Sequence, residues 1–362
     1  MPDRSGRRLS YGARHAARAA VAAIIALTAC ETSTTEVPPR TVVATRPSLA
    51  ASIVTSVTGL EPLFNASANV AAARAIDDSG QVVGTSRTGT AGVDHAVIWD
   101  GSAFPADLGT IGGDNTSFAA AIARDGSVIV GASTGTTTTA VRWVRINGAW
   151  MIQALPMPAG STNCEADAVG SDGTIAGTCN GAVVAWRNGA LFPVAASGLA
   201  RGVDGNGQIV GRAGNDPTIW NLQTSPASVT DLGSLGGTSG AAFGINDNGQ
   251  IVGSATISSG DSHAFLWTAR KGMVDLGTLP GATISDAFGI NGNGEIVGDS
   301  EFPDGSTYAV YWQHGKIIDL GTLPGFAGSE ALAININGQV VGVSFVTVNG
   351  VASVRATIWT VK

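Results

Sequence analysis

Short apolar runs, bounded by glycine, asparagine, aspartate or proline, follow one another through most of this chain, and their length and boundaries predict strands joined by tight turns. The pattern is written more than once. Residues 242–254 read AFGINDNGQIVGS, and close copies stand at 287–299, AFGINGNGEIVGD, and at 331–343, ALAININGQVVGV. Aligning the copies gives seven Val-Gly-like pairs, ending at Gly84, Gly131, Gly177, Gly211, Gly253, Gly298 and Gly342, at intervals of 47, 46, 34, 42, 45 and 44 residues. After each comes a run closed by tryptophan: HAVIW 95–99, TAVRW 139–143, AVVAW 182–186, PTIW 217–220, HAFLW 263–267, YAVYW 308–312 and RATIW 355–359. Seven of the eight tryptophans thus share one repeat position. A fourth run follows most of them, clearest in VDLGTLPG at 274–281 and IDLGTLPG at 318–325, recognisable at 106–113 and 230–237, and decayed at 151–160 and 190–196.

Four strands per unit of roughly 44 residues, repeated seven times, predict an all-β fold, a β-propeller of seven four-stranded blades, with six or eight left open by the weak units two to four. Each blade alone is too thin to bury both faces, so the units must stack. The first run of each unit then lies nearest the axis, which suits Gly170, Gly202, Gly244 and Gly289. The Ile-Asn-Asp-Asn-Gly turn reads as an inner hairpin whose glycine takes a positive φ. The seventh unit stops at Lys362 without a fourth strand, and residues 53–62, IVTSVTGLEP, echo the missing run. An N-terminal strand is therefore expected to complete the last blade and leave no open sheet edge.

The combination of His-Ala-Phe at 263–265, Asp-Leu-Gly-Thr-Leu-Pro-Gly at 275–281 and Gly-Ile-Asn-x-x-Gly-x-Ile-Val-Gly at 244–253 resembles the bacterial extracellular HAF-repeat proteins. The resemblance covers residues 73–361, with its best copies at 242–281 and 285–325. It implies an exported repeat protein of unassigned function and carries over no catalytic residue.

Composition fits this architecture and adds an address. Charged residues are 13% of the chain, and its 50 glycines are about double the usual share. Residues 1–18 carry five arginines, and 19–29, AAVAAIIALTA, are apolar or small, the layout of an export signal. That run is shorter than the roughly 20 residues a spanning helix needs. Leu27-Thr28-Ala29-Cys30 resembles a lipobox, which makes Cys30 the expected lipidation site and 1–29 the segment removed. Arg7-Arg8 hints at twin-arginine export. Residues 30–50, rich in Thr, Ser and Pro, read as a tether, and 51–362 as the propeller. With five arginines and one aspartate of the 20 basic and 27 acidic residues gone, the mature net charge is −11, unfavourable for nucleic acid. The expected partners are the membrane, through the lipid, and a glycan or envelope protein. A closed ring needs no second copy to protect its edges, so a monomer is expected.

Candidate chemistry is sparse. His95 and His263 share a repeat position otherwise held by Thr139, Ala182, Asp216, Tyr308 and Arg355, and no histidines have zinc-like spacing. The Asp/Asn turns offer too few ligands for calcium, so no metal or other cofactor is expected. No nucleophile, histidine and carboxylate pattern or phosphate loop emerges. Asp107, Asp231, Asp275 and Asp319 repeat in the fourth run and read as structural. Asp286, Asp299, Glu301, Asp304 and Glu330 fall outside the consensus and are expected on the face of unequal loops (85–94, 254–262, 299–307 and 343–354) as a possible acidic binding site. Cys164 and Cys179 sum to 343, the value for residues opposed across a hairpin turning at Ser171-Asp172, so a disulfide is expected, although a bulged turn would shift the pairing by one. A binding or scaffold module is the leading reading. The alternatives are a glycan hydrolase or lyase using loop-face carboxylates, and a structural or adhesive surface protein.

Overall fold

The computed structural model describes residues 53–63, 70–89, 93–102, 104–348 and 351–362. Cys30, the export signal and the tether lie outside the described residues. The described chain forms seven antiparallel four-stranded sheets, each built from consecutive strands except the last. In that blade Val54–Gly59 pairs with Val351–Val361, so the N-terminal strand is the outer strand of blade 7. The fold is a seven-bladed β-propeller closed by the two ends of the chain.

The decayed fourth runs are strands after all, Ala149–Ala154 in blade 2 and Ala190–Ala195 in blade 3. An outer strand needs backbone partners on one side only. The consensus Asp-Leu-Gly serves the turn after it rather than the pairing: Asp107, Asp275 and Asp319 accept the backbone N–H of Gly109, Gly277 and Gly321 at 2.7–2.8 Å. In blades 1 and 5 the same carboxylate also bonds the His95 or His263 Nδ1 at 2.8 Å.

Hydrophobic burial is distributed over the seams between blades. One cluster joins Ile98 of blade 1 to Ile129, Val141 and Trp143 of blade 2, and another joins Trp99 and Val82 of blade 1 to Val341 and Ala356 of blade 7. In five of the blades the repeated tryptophan stitches the seam, its indole N–H donating to a carbonyl at or just beyond the end of the preceding outer strand. Trp143 bonds Leu108 O at 2.8 Å, Trp186 bonds Pro156 O at 2.7 Å, and Trp359 bonds Gly321 O at 3.2 Å. Trp99 bonds Glu61 O at 2.7 Å, which puts Thr58-Gly59-Leu60-Glu61-Pro62 in the place of a Leu-Gly-Thr-Leu-Pro turn.

The asparagines of the inner turn have two tasks. Asn246 Oδ1 accepts the N–H of Asn248 and Gln250, shaping the turn, while its Nδ2 donates to Asn291 O in the next blade at 2.8 Å. Asn291 does the same to Asn335 O, and Asn335 to Asp77 O at 3.0 Å, closing the ladder from blade 7 onto blade 1. The turn glycines Gly249, Gly294 and Gly338 have φ of +71°, +78° and +74°. The glycine of each Val-Gly pair answers a different demand, because a Cβ there would meet a carbonyl of the inner strand, 1.9 Å from Asp286 O at Gly298 and 1.9 Å from Ala72 O at Gly84. Glycine is required because backbone fills the side-chain space.

Candidate site in the central channel

That intruding carbonyl accompanies a β-bulge found in every inner strand, falling between Ala73 and Ala75, Ala119 and Ala121, Ala166 and Ala168, Ala200 and Gly202, Ala242 and Gly244, Ala287 and Gly289, and Ala331 and Ala333. The alanine before each bulge is fully buried in a seam, whereas every bulged residue is partly or largely accessible. A bulge adds a residue to one strand and re-aims its side chain, and here it turns one residue per blade towards the axis. The resulting ring is chemically divided. Blades 1, 3 and 4 contribute Arg74, Asp167 and Arg201, blades 5, 6 and 7 contribute Phe243, Phe288 and Leu332, and blade 2 contributes Ala120.

The charged residues face one another. Asp167 Oδ1 lies 3.8 Å from Arg201 Nη1, and Thr178 Oγ1 donates to Asp167 Oδ2 at 3.3 Å. Burial pushes the Asp167 carboxyl up to about 7, against the opposing pull of Arg201 and with a further upward push from Glu165. Burial also draws the Arg74 guanidinium below the usual arginine range, while Glu165 and Asp167 hold it up. Arg74 belongs to blade 1 and Asp167 to blade 3, so this coupling spans the intervening blade 2. Arg74 also stacks over the Phe118 ring at 5.5 Å. On the other wall, the rings of Phe243 and Phe288 lie 5.4 Å apart, tilted by 42°.

Two residues further along each inner strand, Ile76, Ile122, Val169, Val203, Ile245, Ile290 and Ile334 form an apolar collar. Beyond it a cavity of about 160 Å³ opens at the tight-turn end. Asp247 of blade 5 gathers the rim there, accepting from Arg124 of blade 2 at 3.5 Å, Ser171 of blade 3 at 3.1 Å and the Gly205 N–H of blade 4 at 2.8 Å.

The five acidic residues singled out in the sequence are not gathered on one loop. Asp286 and Glu330 lie within the inner strands Ile284–Ile290 and Gly328–Ile334 rather than on the loop face. Ser285 and Ser329 carry those strands further, since each Oγ accepts a backbone N–H of the preceding blade, Ala264 at 2.9 Å and Ala309 at 3.0 Å. Asp286 is directly opposite Asp299, and both are fully buried. Glu301 ends the same second strand, half-buried, and Asp304 is at an exposed turn, accepting the N–H and Oγ–H of Ser306 at 2.9 and 2.6 Å. With Glu165, Asp286 and Glu330 occupy equivalent positions two residues before the bulge.

Sequence reasoning missed Arg74, Asp167, Arg201, Phe243 and Phe288. The signal was present, since between the buried alanine and the Ala-Ile, Ala-Val, Gly-Ile or Gly-Val that follows, each copy has one residue that varies between blades. Cys164 and Cys179 are opposed and joined by a disulfide with Cα atoms 4.1 Å apart. The turn does shift the pairing, Val169 facing Ile175, and the bulge at Asp167 restores the register before the cysteines. Among the described residues no group of three or more His, Cys, Asp or Glu is placed to hold a metal ion.

No protein-family model and no curated protein matches this chain. Solved structures do match. The chain is similar to the β-propeller domain of the Trilobed protease from Pyrococcus furiosus, at 12% identity over 81% of this chain and 95% of that one, TM-score 0.51. It is similar also to the Cps50 (Swd1) β-propeller domain of Myceliophteria thermophila, at 10% identity over 86% and 99%, TM-score 0.50. A puromycin-hydrolyzing peptidase of Mycobacterium tuberculosis matches at 11% identity, with 80% of this chain and 50% of that one covered and a TM-score of 0.53. The chain thus spans about half the length of that peptidase. At such identities the likeness shows the propeller fold alone.

Proposed function

We propose that this chain is a lipid-anchored cell-envelope propeller that acts as a binding module, its ligand meeting the ring of bulged residues in the channel. One observation carries the reading. Comparison of the seven blades shows the framework repeated, with the Val-Gly glycine in every copy and tryptophan closing every third run, while the ring holds two arginines, an aspartate, two phenylalanines, a leucine and an alanine. Positions with a repeated structural task repeat their residue; a ring position held by five different residue types over seven blades is free to specify a ligand. A rigid scaffold that presents a few unlike side chains at one place is the usual construction of a binding site.

The lipobox at Leu27–Cys30 supports anchoring through Cys30, and the His-Ala-Phe and Asp-Leu-Gly-Thr-Leu-Pro-Gly copies support a place among the bacterial extracellular HAF-repeat proteins. Growth with a labelled fatty acid tests the anchor: wild type is expected to carry label in the membrane fraction, and Cys30→Ser to lose both label and membrane retention. Binding is tested by presenting solubilised envelope components to the full chain and to Arg201→Gln and Phe243→Ala. Saturable retention by wild type, lost in both variants, is expected. A folded wild-type protein that retains nothing would favour the structural or adhesive reading instead.

A further inference from the structure

We propose that the ring holds an uncharged saccharide, its hydroxyls among Arg74, Asp167 and Arg201 and its C–H face against Phe243 and Phe288. This rests on the binding-module reading and names its class of ligand. The charged wall is supplied with both hydrogen-bond donors and acceptors. The Arg74 Nε is buried and finds no acceptor among the described residues. A buried donor left in that state costs about 1–3 kcal/mol, so a ligand acceptor placed there is favoured. Arg201 keeps 45% of its side chain accessible and lies 3.8 Å from Asp167, and among the described residues Asp167 accepts one long bond, from Thr178 at 3.3 Å. Two guanidinium groups thus stand with the carboxyl groups of Asp167 and Glu165, and above about pH 7, where Asp167 is ionised, the charges of this wall balance and do not select an ion. An anionic ligand would satisfy the arginines while meeting two carboxylates, and a cationic one would meet the reverse. A hydroxyl donates and accepts at once, so a sugar answers both kinds of group without adding charge.

The opposite wall supplies what the remainder of a sugar needs. A pyranose carries hydroxyls at its rim and C–H groups on its faces, and the two tilted phenylalanine rings offer apolar surface to such a face.

The test is calorimetric titration of the purified full chain in detergent with three panels: neutral oligosaccharides, saccharides bearing uronic acid or amino groups, and acidic and basic peptides. Saturable binding of a neutral oligosaccharide is expected, weakened at least about tenfold by Asp167→Asn and by Phe243→Leu and unchanged by Asp100→Asn on an outer turn. Arg201→Gln, at an accessible position, gives the same loss without depending on how well the buried Asp167 variant folds. Binding confined to charged saccharides or peptides would overturn the saccharide and leave the binding module standing. Neutral saccharide bound equally by all variants with wild-type melting would place the site elsewhere and overturn the proposal. No saturable binding of any panel or of envelope extract, by protein that melts cooperatively, would overturn both.

Discussion

Asp167 and Arg201 meet in the channel across the seam between blades 3 and 4, their charged groups 3.8 Å apart, although they stand on neighbouring bulges that each blade makes for its own packing. Asp167 has an ordinary carboxyl value of 3.8 when exposed and about 7 here, raised first by burial. Its folded form therefore holds a proton more tightly than the unfolded chain. The stability this contributes is fully present below about pH 4 and is lost as pH rises through about 7. Thermal melts of wild type and Asp167→Asn at about pH 5 and about pH 8 check the sign: the variant is expected to gain relative to wild type by several degrees at the higher pH.

Gly298 sits where a Cβ would lie 1.9 Å from the carbonyl oxygen of Asp286, so Gly298→Ala must displace an inner strand. A loss of about 3 kcal/mol or more is expected. Gly112→Ala is the control, because nothing lies within 4 Å of its Cβ position, and its stability should stay within about 0.5 kcal/mol of wild type. Equal losses in the two variants, measured by denaturant unfolding, would show that the intruding carbonyl is not the reason for the repeated glycine.

Ring closure rests on Val54–Gly59, and on Glu61, whose carbonyl accepts the Trp99 indole and whose carboxylate pairs with Arg355. Deleting residues 51–62 would expose the edge of Val351–Val361 and leave the Trp99 N–H without that acceptor. Lower thermal stability and concentration-dependent association in size-exclusion chromatography are expected. A deletion variant that stays monomeric with the wild-type midpoint would mean that the strand adds nothing to closure.

The Asn335 amide donates to Asp77 O between the last blade and the first. Asn335→Asp keeps the turn-forming oxygen and removes that donor. It should cost about 1–3 kcal/mol by leaving a buried carbonyl unsatisfied and adding a charge. The same change at Asn337, exposed but bonded to Asp78 O, should cost less, which paired melts of the two variants check.

The disulfide spans 15 residues of sequence within blade 3, where the fourth run has lost its consensus. Closing a loop of that length stabilises by about 3 kcal/mol in the chain-entropy treatment. Thiol titration of exported, denatured protein should therefore find Cys164 and Cys179 unreactive, and reduction should lower the melting midpoint. Two titratable thiols would remove this prediction and leave the hairpin register unchanged.

The sequence by itself determined the repeat, the four-stranded unit, the inner hairpin and the strand that closes the ring, while the count of seven blades, with six or eight left open by the weak units, was settled by the fold. Each of these rests on residues whose task is local or recurs at a fixed interval, such as a glycine at positive φ or a tryptophan at one place per blade. The sequence also put Cys164 opposite Cys179, where two irregularities cancel: the turn slips the register and the Asp167 bulge restores it. Only the tertiary structure decided which side chains meet. Arg74, Asp167 and Arg201 belong to different copies and look like noise in an alignment of repeats, until seven bulges turn them towards one axis. The same geometry set Asp304 at an exposed turn and buried Asp286 opposite Asp299, although all three are acidic and close in sequence. Closure of the ring is the physical reason, because it creates the channel and neighbours separated by a hundred residues, and a local pattern has no term for either.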